Sequence, residues 1–223
     1  MFTNPGAPTK LTVLGATGGT GCQILRQAVD AGHEVTAIVR DATRLPPDLR
    51  DRIAIVETHS LDDGAASAAI AGCDAVISAI GTRDLKHPTR VCTETAGILT
   101  TAIRSGSHRQ PRLVLASNSA MAPGPGDDPL TRFFVKPVVL APLLRHMIED
   151  MHRAEQIVRA SGVPWTIVRA GRLTDRQSKG GYRRGVDRNV LGGFQITRAD
   201  FATAMLDAAT DPACTGHVIS VGN

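Results

Sequence analysis

The chain has 223 residues, of which 42% are hydrophobic and 3% aromatic, and its formal net charge at pH 7 is +4. This length suits one well-packed domain and leaves little room for two. The charge surplus is mild, and the arginines are spread along the chain rather than clustered with aromatic side chains. We therefore expect no nucleic-acid surface, because solubility and attraction to a small anion explain the surplus better.

The predicted elements alternate between strands and helices along the chain. Short apolar runs predict strands at 11–14, 34–39, 53–56, 75–80, 113–116, 165–168 and 217–221. Helical spacing predicts helices at 22–30, 63–71, 89–105, 143–160 and 200–209. Each parallel connection needs a crossover, so this order predicts an α/β fold with a doubly wound parallel sheet in three layers. We expect residues 1–223 to form one Rossmann-type domain, with a flexible N-terminus over 1–9.

The four cysteines each stand alone in an apolar segment, without C-x-x-C pairing or clustered histidines. We therefore expect no disulfide framework and no metal site, and small buried side chains instead. No apolar run approaches the roughly 20 residues that a membrane helix needs. The N-terminal residues also do not have the basic and apolar regions of a signal peptide. These features predict a cytoplasmic protein with no membrane association.

The loop between the first strand and the first helix is rich in glycine. Glycines permit a sharp turn and bring backbone N–H groups against a pyrophosphate at the positive end of a helix. The Gly-x-x-Gly-x-x-Gly spacing differs from the commonest dinucleotide fingerprint, but its place between a buried strand and an amphipathic helix predicts a nucleotide site. The residues of this site are Gly15, Ala16, Thr17, Gly18, Gly19, Thr20 and Gly21.

Arg40 follows the second predicted strand, and Arg44 lies four residues later. At this point of dinucleotide-binding folds, an acidic side chain binds the ribose 2′-hydroxyl, whereas an arginine accommodates a 2′-phosphate. Asp41 keeps NAD possible, although it lies one position late. We therefore expect NADP(H) to be preferred over NAD(H), with a solvated surface arginine as the alternative.

Four segments together resemble a known family. They are Gly-Ala-Thr-Gly-Gly-Thr-Gly (15–21), Val39-Arg40, Asp-Ala-Val-Ile-Ser-Ala-Ile-Gly (74–81) and Ser-Gly-Val-Pro-Trp-Thr-Ile-Val-Arg (161–169). In this order they resemble the atypical short-chain dehydrogenase/reductases, and in particular the NAD(P)H-binding, NmrA-like group that includes biliverdin reductase B (flavin reductase). The resemblance covers nearly the whole chain and implies a Rossmann fold with the nicotinamide near the ends of the fourth and fifth strands.

The resemblance also implies cofactor contacts. It assigns the pyrophosphate to the glycine loop and the 2′-phosphate to Arg40. Ser117 and Ser119 follow the fifth strand, where the family has a serine near the nicotinamide. They could bind the nicotinamide amide or the substrate, or form a local cap with Asn118. The remaining implied contacts are Leu61 and Asp62 beside the adenine, and Ala79, Ile80 and Gly81 along the cofactor.

The Tyr-x-x-x-Lys pair of short-chain dehydrogenases is absent, and its positions hold Ile148 and His152. Ordinary carbonyl reduction needs such a proton donor. A flavin, quinone or biliverdin stabilises its own negative charge and takes a proton from solvent, so the protein need only orient it. The sequence therefore favours an NADPH-dependent reductase of a planar acceptor. His152 could contact the ribose, or its ring could donate to a buried carbonyl.

Two segments are candidates for the acceptor side. Residues 121–142 are irregular and apolar, and we expect Phe133 and Phe134 to form a lid or pocket wall. The alternatives are packing on the domain surface or on a second subunit, so the chain is a monomer or a homodimer. A predicted hairpin over 180–194 would let Tyr182 stack on the acceptor and Arg183 meet a phosphate or carboxylate, unless it is simply an exposed charged hairpin.

Arg169 and Arg172 follow the sixth strand. They could bound the acceptor pocket, or form salt bridges with Asp175 or Asp200.

Two other functions stay open at this point. A non-catalytic NmrA-like protein that senses NADP(H) would also lack the Tyr/Lys pair. An epimerase or ketoreductase could have recruited His152 or Tyr182 as its acid. A hydrolase is not expected, because the chain has no Gly-x-Ser-x-Gly motif.

Overall fold

The computed structural model describes residues 8–61, 63–82, 84–106, 110–119 and 125–223, without the side chains of Pro137 and Ala141. Its strands are β1 (Lys10–Leu14), β2 (Glu34–Val39), β3 (Ala54–Glu57), β4 (Ala75–Ser78), β5 (Arg112–Asn118), β6 (Trp165–Ala170), β7 (Arg172–Thr174), β8 (Arg183–Val186), β9 (Gln195–Thr197) and β10 (Val218–Gly222). Its helices are α1 (Gly19–Asp30), α2 (Pro47–Arg50), α3 (Gly64–Ala71), α4 (Val91–Ser105), α5 (Ala141–Leu143), α6 (Arg145–Ala160) and α7 (Arg198–Thr210), with a π-helical segment over Thr131–Leu140.

The central sheet has the strand order β3-β2-β1-β4-β5-β6-β10-β8. Its strands run parallel except β8, which pairs antiparallel with β10 at the edge. The carboxyl ends of the seven parallel strands therefore lie along one edge, called here the carboxyl edge. The predicted doubly wound parallel sheet is confirmed.

Two apolar clusters cover the two faces of the sheet. One joins the sheet to α1 and α7 and contains Val13, Ile24 and Phe201. The other joins it to α3, α4 and α6 and contains Leu14, Leu99 and Val158. Neighbouring residues of a strand point to opposite faces, and both faces are covered, so the strands are nearly continuous apolar runs. This is the three-layer arrangement that the sequence predicts.

The predicted strands and helices all occur, with ends that differ by a few residues. The predicted hairpin over 180–194 is wrong. β8 pairs with β10, which comes later in the chain, and β9 pairs in parallel with β7. The physical reason is that the open side of β10 offers unpaired backbone groups to any extended segment, and a local turn pattern carries no information about such a distant partner.

No helix in the described part of the chain is both long and apolar enough to cross a membrane.

Candidate functional site

The glycine loop lies directly against the end of β4. Gly15 has a φ of +73°, and a Cβ added to it would stand 2.7 Å from the carbonyl oxygen of Ala79. A Cβ on Gly21 would stand 2.1 Å from the carbonyl oxygen of Gly15. Gly18 precedes α1 without a side-chain cap, so the first N–H groups of this helix are left for another acceptor. This cradle of bare backbone at a helix N-terminus fits a dinucleotide pyrophosphate.

The end of β2 carries the arginines expected near the adenosine ribose. Arg40 and Arg44 are both exposed there. The Asp41 carboxylate accepts hydrogen bonds from the backbone N–H of Thr43 at 2.9 Å and from its hydroxyl at 2.6 Å, and these bonds lower the pKa of Asp41. The acid that kept NAD possible is therefore engaged in a local turn. Arg50, which the sequence did not single out, donates to the carbonyl of Thr43 in the same turn.

The other implied cofactor residues that the structure describes also lie along the carboxyl edge. Ala79 and Ile80 are half-buried and Gly81 is exposed at the end of β4. Leu61 packs against the cluster beside α3, and Asp62 lies outside the described residues. Ser119 is half-buried after β5.

Met151, rather than its neighbour His152, faces the end of β4. A Cβ on Gly81 would stand 3.7 Å from the Met151 Cε. The His152 side chain is exposed and makes no hydrogen bond to any residue in the described ranges. The interpretation that its ring donates to a buried carbonyl is therefore wrong, and contact with the ribose stays a prediction.

A row of polar side chains crosses the carboxyl edge on the α6 side. Ser117 of β5, Arg169 of β6 and Ser220 of β10 are aligned neighbours. Glu155 of α6, only 3% exposed, accepts hydrogen bonds from the Ser117 Oγ and from the Arg169 Nε, both at 2.8 Å. Ser117 therefore directs its proton at a carboxylate, and a bidentate ion pair fixes that carboxylate in place.

Glu155 was missed by the sequence reasoning. A signal existed, because an acidic residue stands on the apolar face of an amphipathic helix beside Ala154 and Val158. The expectation that Arg169 pairs with Asp175 or Asp200 is wrong, since β6 directs its side chain toward α6. Arg172 makes no ion pair within the described ranges.

A buried ion pair anchors the segment after residue 124 to this row. The Lys136 Nζ lies 2.9 and 2.8 Å from the two carboxylate oxygens of Asp127. Burial lowers the pKa of Lys136, and the Asp127 carboxylate opposes this shift. The Asn189 side chain donates to Asp127 at 2.9 Å and lies 3.4 Å from the Ser220 hydroxyl. The segment is thus bound to the carboxyl end of β10.

Phe133 and Phe134 of this segment are exposed to solvent, by 70% and 55%. The guanidinium of Arg132 lies 5.3 Å from the centre of the Phe133 ring. These two rings therefore do not pack on the domain's own surface, whereas Thr131 and Lys136 of the same segment are buried. A lid, a pocket wall or a subunit contact stays a prediction. Residues 121–124 of the predicted segment lie outside the described ranges.

Tyr182 lies against the core on the α7 side of the sheet. Its ring packs against the cluster beside α7, and its hydroxyl donates to Asp207 at 2.5 Å. Burial and the Asp207 carboxylate both raise its pKa. The pairing of β8 with β10 causes this placement, so the predicted stacking on an acceptor is wrong. Arg183 is exposed and donates to the carbonyl of Leu191 at 2.8 Å, and its contact with an acceptor stays a prediction.

A surface cavity of about 580 Å³ lies at the opposite edge of the sheet, beside Lys10, Glu34 and Arg52. These residues are at or near the amino ends of β1, β2 and β3, so this cavity is separate from the glycine loop. A smaller cavity of about 340 Å³ lies near β7, beside Arg172, Asp175 and Gln195. The described residues contain no group of three or more His, Cys, Asp or Glu side chains that could hold a metal ion.

Comparison with known proteins identifies relatives of the whole chain. A family model described as NAD(P)H-binding matches residues 15–212. The uncharacterised protein YwnB of Bacillus subtilis (strain 168) is 27% identical in an alignment of 208 residues that covers 91% of this chain and 93% of YwnB.

Two solved structures share the fold. A short-chain dehydrogenase/reductase from Veillonella parvula DSM 2008, solved in complex with NADP, has a TM-score of 0.77 at 17% identity and covers 96% of this chain and 94% of its own. SP1627 of Streptococcus pneumoniae TIGR4, a candidate NADH-flavin reductase, has a TM-score of 0.78 at 21% identity and covers 96% and 99%. The NAD(P)H-binding family that the resemblance implied is thereby confirmed, and the solved structures show that the fold is shared.

Proposed function

The chain belongs to the NAD(P)H-binding family, and on that basis we propose that it is an NADPH-dependent oxidoreductase that transfers a hydride to a planar acceptor such as a flavin, quinone or biliverdin. One observation carries the choice of acceptor: three candidate proton donors are already engaged by carboxylates, and the remaining candidate, His152, is exposed. The Tyr182 hydroxyl is bound to Asp207, the Ser117 proton is directed at Glu155, and the Lys136 ammonium is held by Asp127. Such a site suits an acceptor that takes its proton from solvent.

The proposed cofactor site uses mainly backbone groups. The N–H groups around Gly18 and Gly19 would bind the pyrophosphate, and Arg40 with Arg44 would bind the 2′-phosphate. Bound NADPH would supply the hydride. A hydroxyl whose proton goes to a carboxylate acts as an acceptor toward other groups, so Ser117 would accept a hydrogen bond from the nicotinamide carboxamide and orient the ring.

The acceptor side would supply orientation and exclude water. Met151 lies beside the end of β4 and offers an adaptable apolar surface. Phe133 and Phe134 belong to a segment anchored at Lys136, and they would cover the flat face of the acceptor. The candidate assignment of SP1627 as an NADH-flavin reductase supports flavin as the first acceptor to test.

The second function is a non-catalytic NADP(H)-binding sensor. The same engaged donors favour it, because a sensor needs the cofactor site and no proton donor. Two acids were considered for a carbonyl reductase or epimerase. His152 is exposed, whereas the Tyr182 hydroxyl donates a hydrogen bond to Asp207.

The test is consumption of NADPH and NADH by the purified protein with FMN, riboflavin, quinones, biliverdin and simple aldehydes. We expect turnover with at least one planar acceptor, faster with NADPH than with NADH. Arg40→Ala should lower kcat/KM for NADPH by about tenfold or more and leave NADH unchanged, because a charged contact is lost. Arg104→Ala, an exposed arginine at the end of α4, is the matched control.

Other results would contradict the proposal. Tight cofactor binding without consumption by any acceptor would support the sensor. Turnover confined to aldehydes, and lost in His152→Ala, would support a carbonyl reductase.

A further inference from the structure

The side chain of Arg198, the first residue of α7, lies across the first turn of α1. A Cβ added to Gly19 would stand 2.9 Å from the Arg198 Cδ and 3.0 Å from its Nε. This close approach is possible because Gly19 has no side chain. The guanidinium therefore reaches the glycine loop from an element far away in the sequence.

The position of Arg198 is fixed by contacts between α1 and α7. The Gln27 side chain donates to the carbonyl of Ala199 at 2.9 Å and accepts a hydrogen bond from the Thr203 hydroxyl at 2.9 Å. Both bonds are made by residues that follow Arg198 on its own helix. Its backbone is therefore set by the packing of two helices.

The electrostatic environment of Arg198 favours an anion beside its guanidinium. The N-terminus of a helix carries a partial positive charge, and the first turn of α1, residues 19–22, is uncharged. A guanidinium at this point is unfavourable by itself. The Arg198 Nη1 lies 2.8 Å from the Asp175 Oδ1. Asp175 is 85% exposed, whereas Arg198 is 30% exposed, so the carboxylate is a weakly held partner in solvent.

We propose that Arg198 is a second binding group for the cofactor pyrophosphate, and that Asp175 occupies its guanidinium until the cofactor binds. The inference rests on the dinucleotide site proposed above and adds a residue outside the glycine loop. A guanidinium fork beside the N–H groups of α1 matches the geometry of a diphosphate. Since NADP and NAD share the pyrophosphate, Arg198 would act on both.

The test is titration of the purified protein with NADP⁺ and NAD⁺ by calorimetry. Arg198→Gln should weaken both cofactors by the same factor, about tenfold or more, whereas Arg40→Ala should weaken NADP⁺ alone. Arg176→Gln, an exposed arginine next to Asp175 in the sequence, is the control and should change neither. Asp175→Asn should bind both cofactors as tightly as wild type or a few-fold more tightly, because the competing carboxylate is removed.

Thermal melts without cofactor check that the variants fold. If Arg198→Gln is unfolded, Arg198→Lys keeps the charge without the fork and should still weaken both cofactors equally. Wild-type affinity for both cofactors in a folded Arg198 variant would overturn this inference and leave the proposed function intact. Failure of the wild-type protein to bind either cofactor would overturn the proposed function itself.

Discussion

The half of the carboxyl edge formed by β1, β2 and β4 is constructed differently from the half formed by β5, β6 and β10. The first consists mainly of backbone groups, because Gly15 and Gly21 lie close to carbonyl groups. Arg40 in this half is exposed to solvent. The second is made of buried polar side chains, with Glu155 joining Ser117 to Arg169. The comparison teaches that one edge can combine an open backbone cradle with a buried network of polar and charged side chains.

The two halves also differ in how far apart their partners lie in the sequence. The glycine contacts of the loop itself are six residues apart or fewer. In the second half, Ser117 is 38 residues from Glu155, and Glu155 is 14 residues from Arg169. A motif search therefore finds the first half and overlooks the second.

The largest effect is expected from breaking the buried network. Glu155→Ala should lower the free energy of unfolding by about 3–5 kcal/mol, because it leaves Arg169 buried without its carboxylate. Glu149→Ala on the same helix is the control. Its side chain is 59% exposed and 4.0 Å from Arg153, so the change should stay within about 0.5 kcal/mol. Urea unfolding measures both, and equal losses would mean that the network contributes little.

A smaller loss is expected from filling the backbone cradle. Gly21→Ala places a Cβ 2.1 Å from a carbonyl oxygen and should cost about 1–3 kcal/mol of stability, together with most of the cofactor affinity. Gly97→Ala, in the interior of α4 with no atom within 4 Å of the added Cβ, should stabilise the protein by about 0.5–1 kcal/mol. A stable Gly21→Ala variant with normal cofactor binding would contradict the close-contact interpretation.

The smallest effect concerns pH, and it tests a buried carboxylate, Asp200, at the start of α7 on the opposite face of the sheet from Glu155. Burial raises the pKa of Asp200, but hydrogen bonds from Ser178, the Lys179 N–H and Thr197 outweigh it, so the pKa lies below its usual value. This stabilisation is present above the unfolded pKa of about 3.9 and is lost as the pH falls through the native pKa.

Asp200→Asn should therefore cost about 1 kcal/mol at pH 7 and unfold with a weaker dependence on pH below 5. Asp48→Asn, at an exposed pair with Arg26, should keep the wild-type pH dependence. Identical acid unfolding of wild type and Asp200→Asn would show that this carboxylate does not contribute.

The sequence alone was sufficient for the order of elements, the parallel sheet, and the places of the glycine loop between β1 and α1 and of Arg40 after β2. Each of these depends on the spacing of residues within about one turn or strand, which is a local property. The prediction of a hairpin was wrong because β8 pairs with β10. Tyr182 was misplaced for the same reason, and Met151 rather than His152 faces β4 because the packing of α6 sets its rotation.

Only the tertiary structure decided which residues from distant elements lie next to each other. Glu155 forms an ion pair with Arg169, and the Arg198 side chain lies beside Gly19. No local pattern specifies these pairs, because each depends on how separate elements pack against one sheet. The sequence thus determined that a dinucleotide fold is present, and the packing of distant elements decided which side chains surround its site.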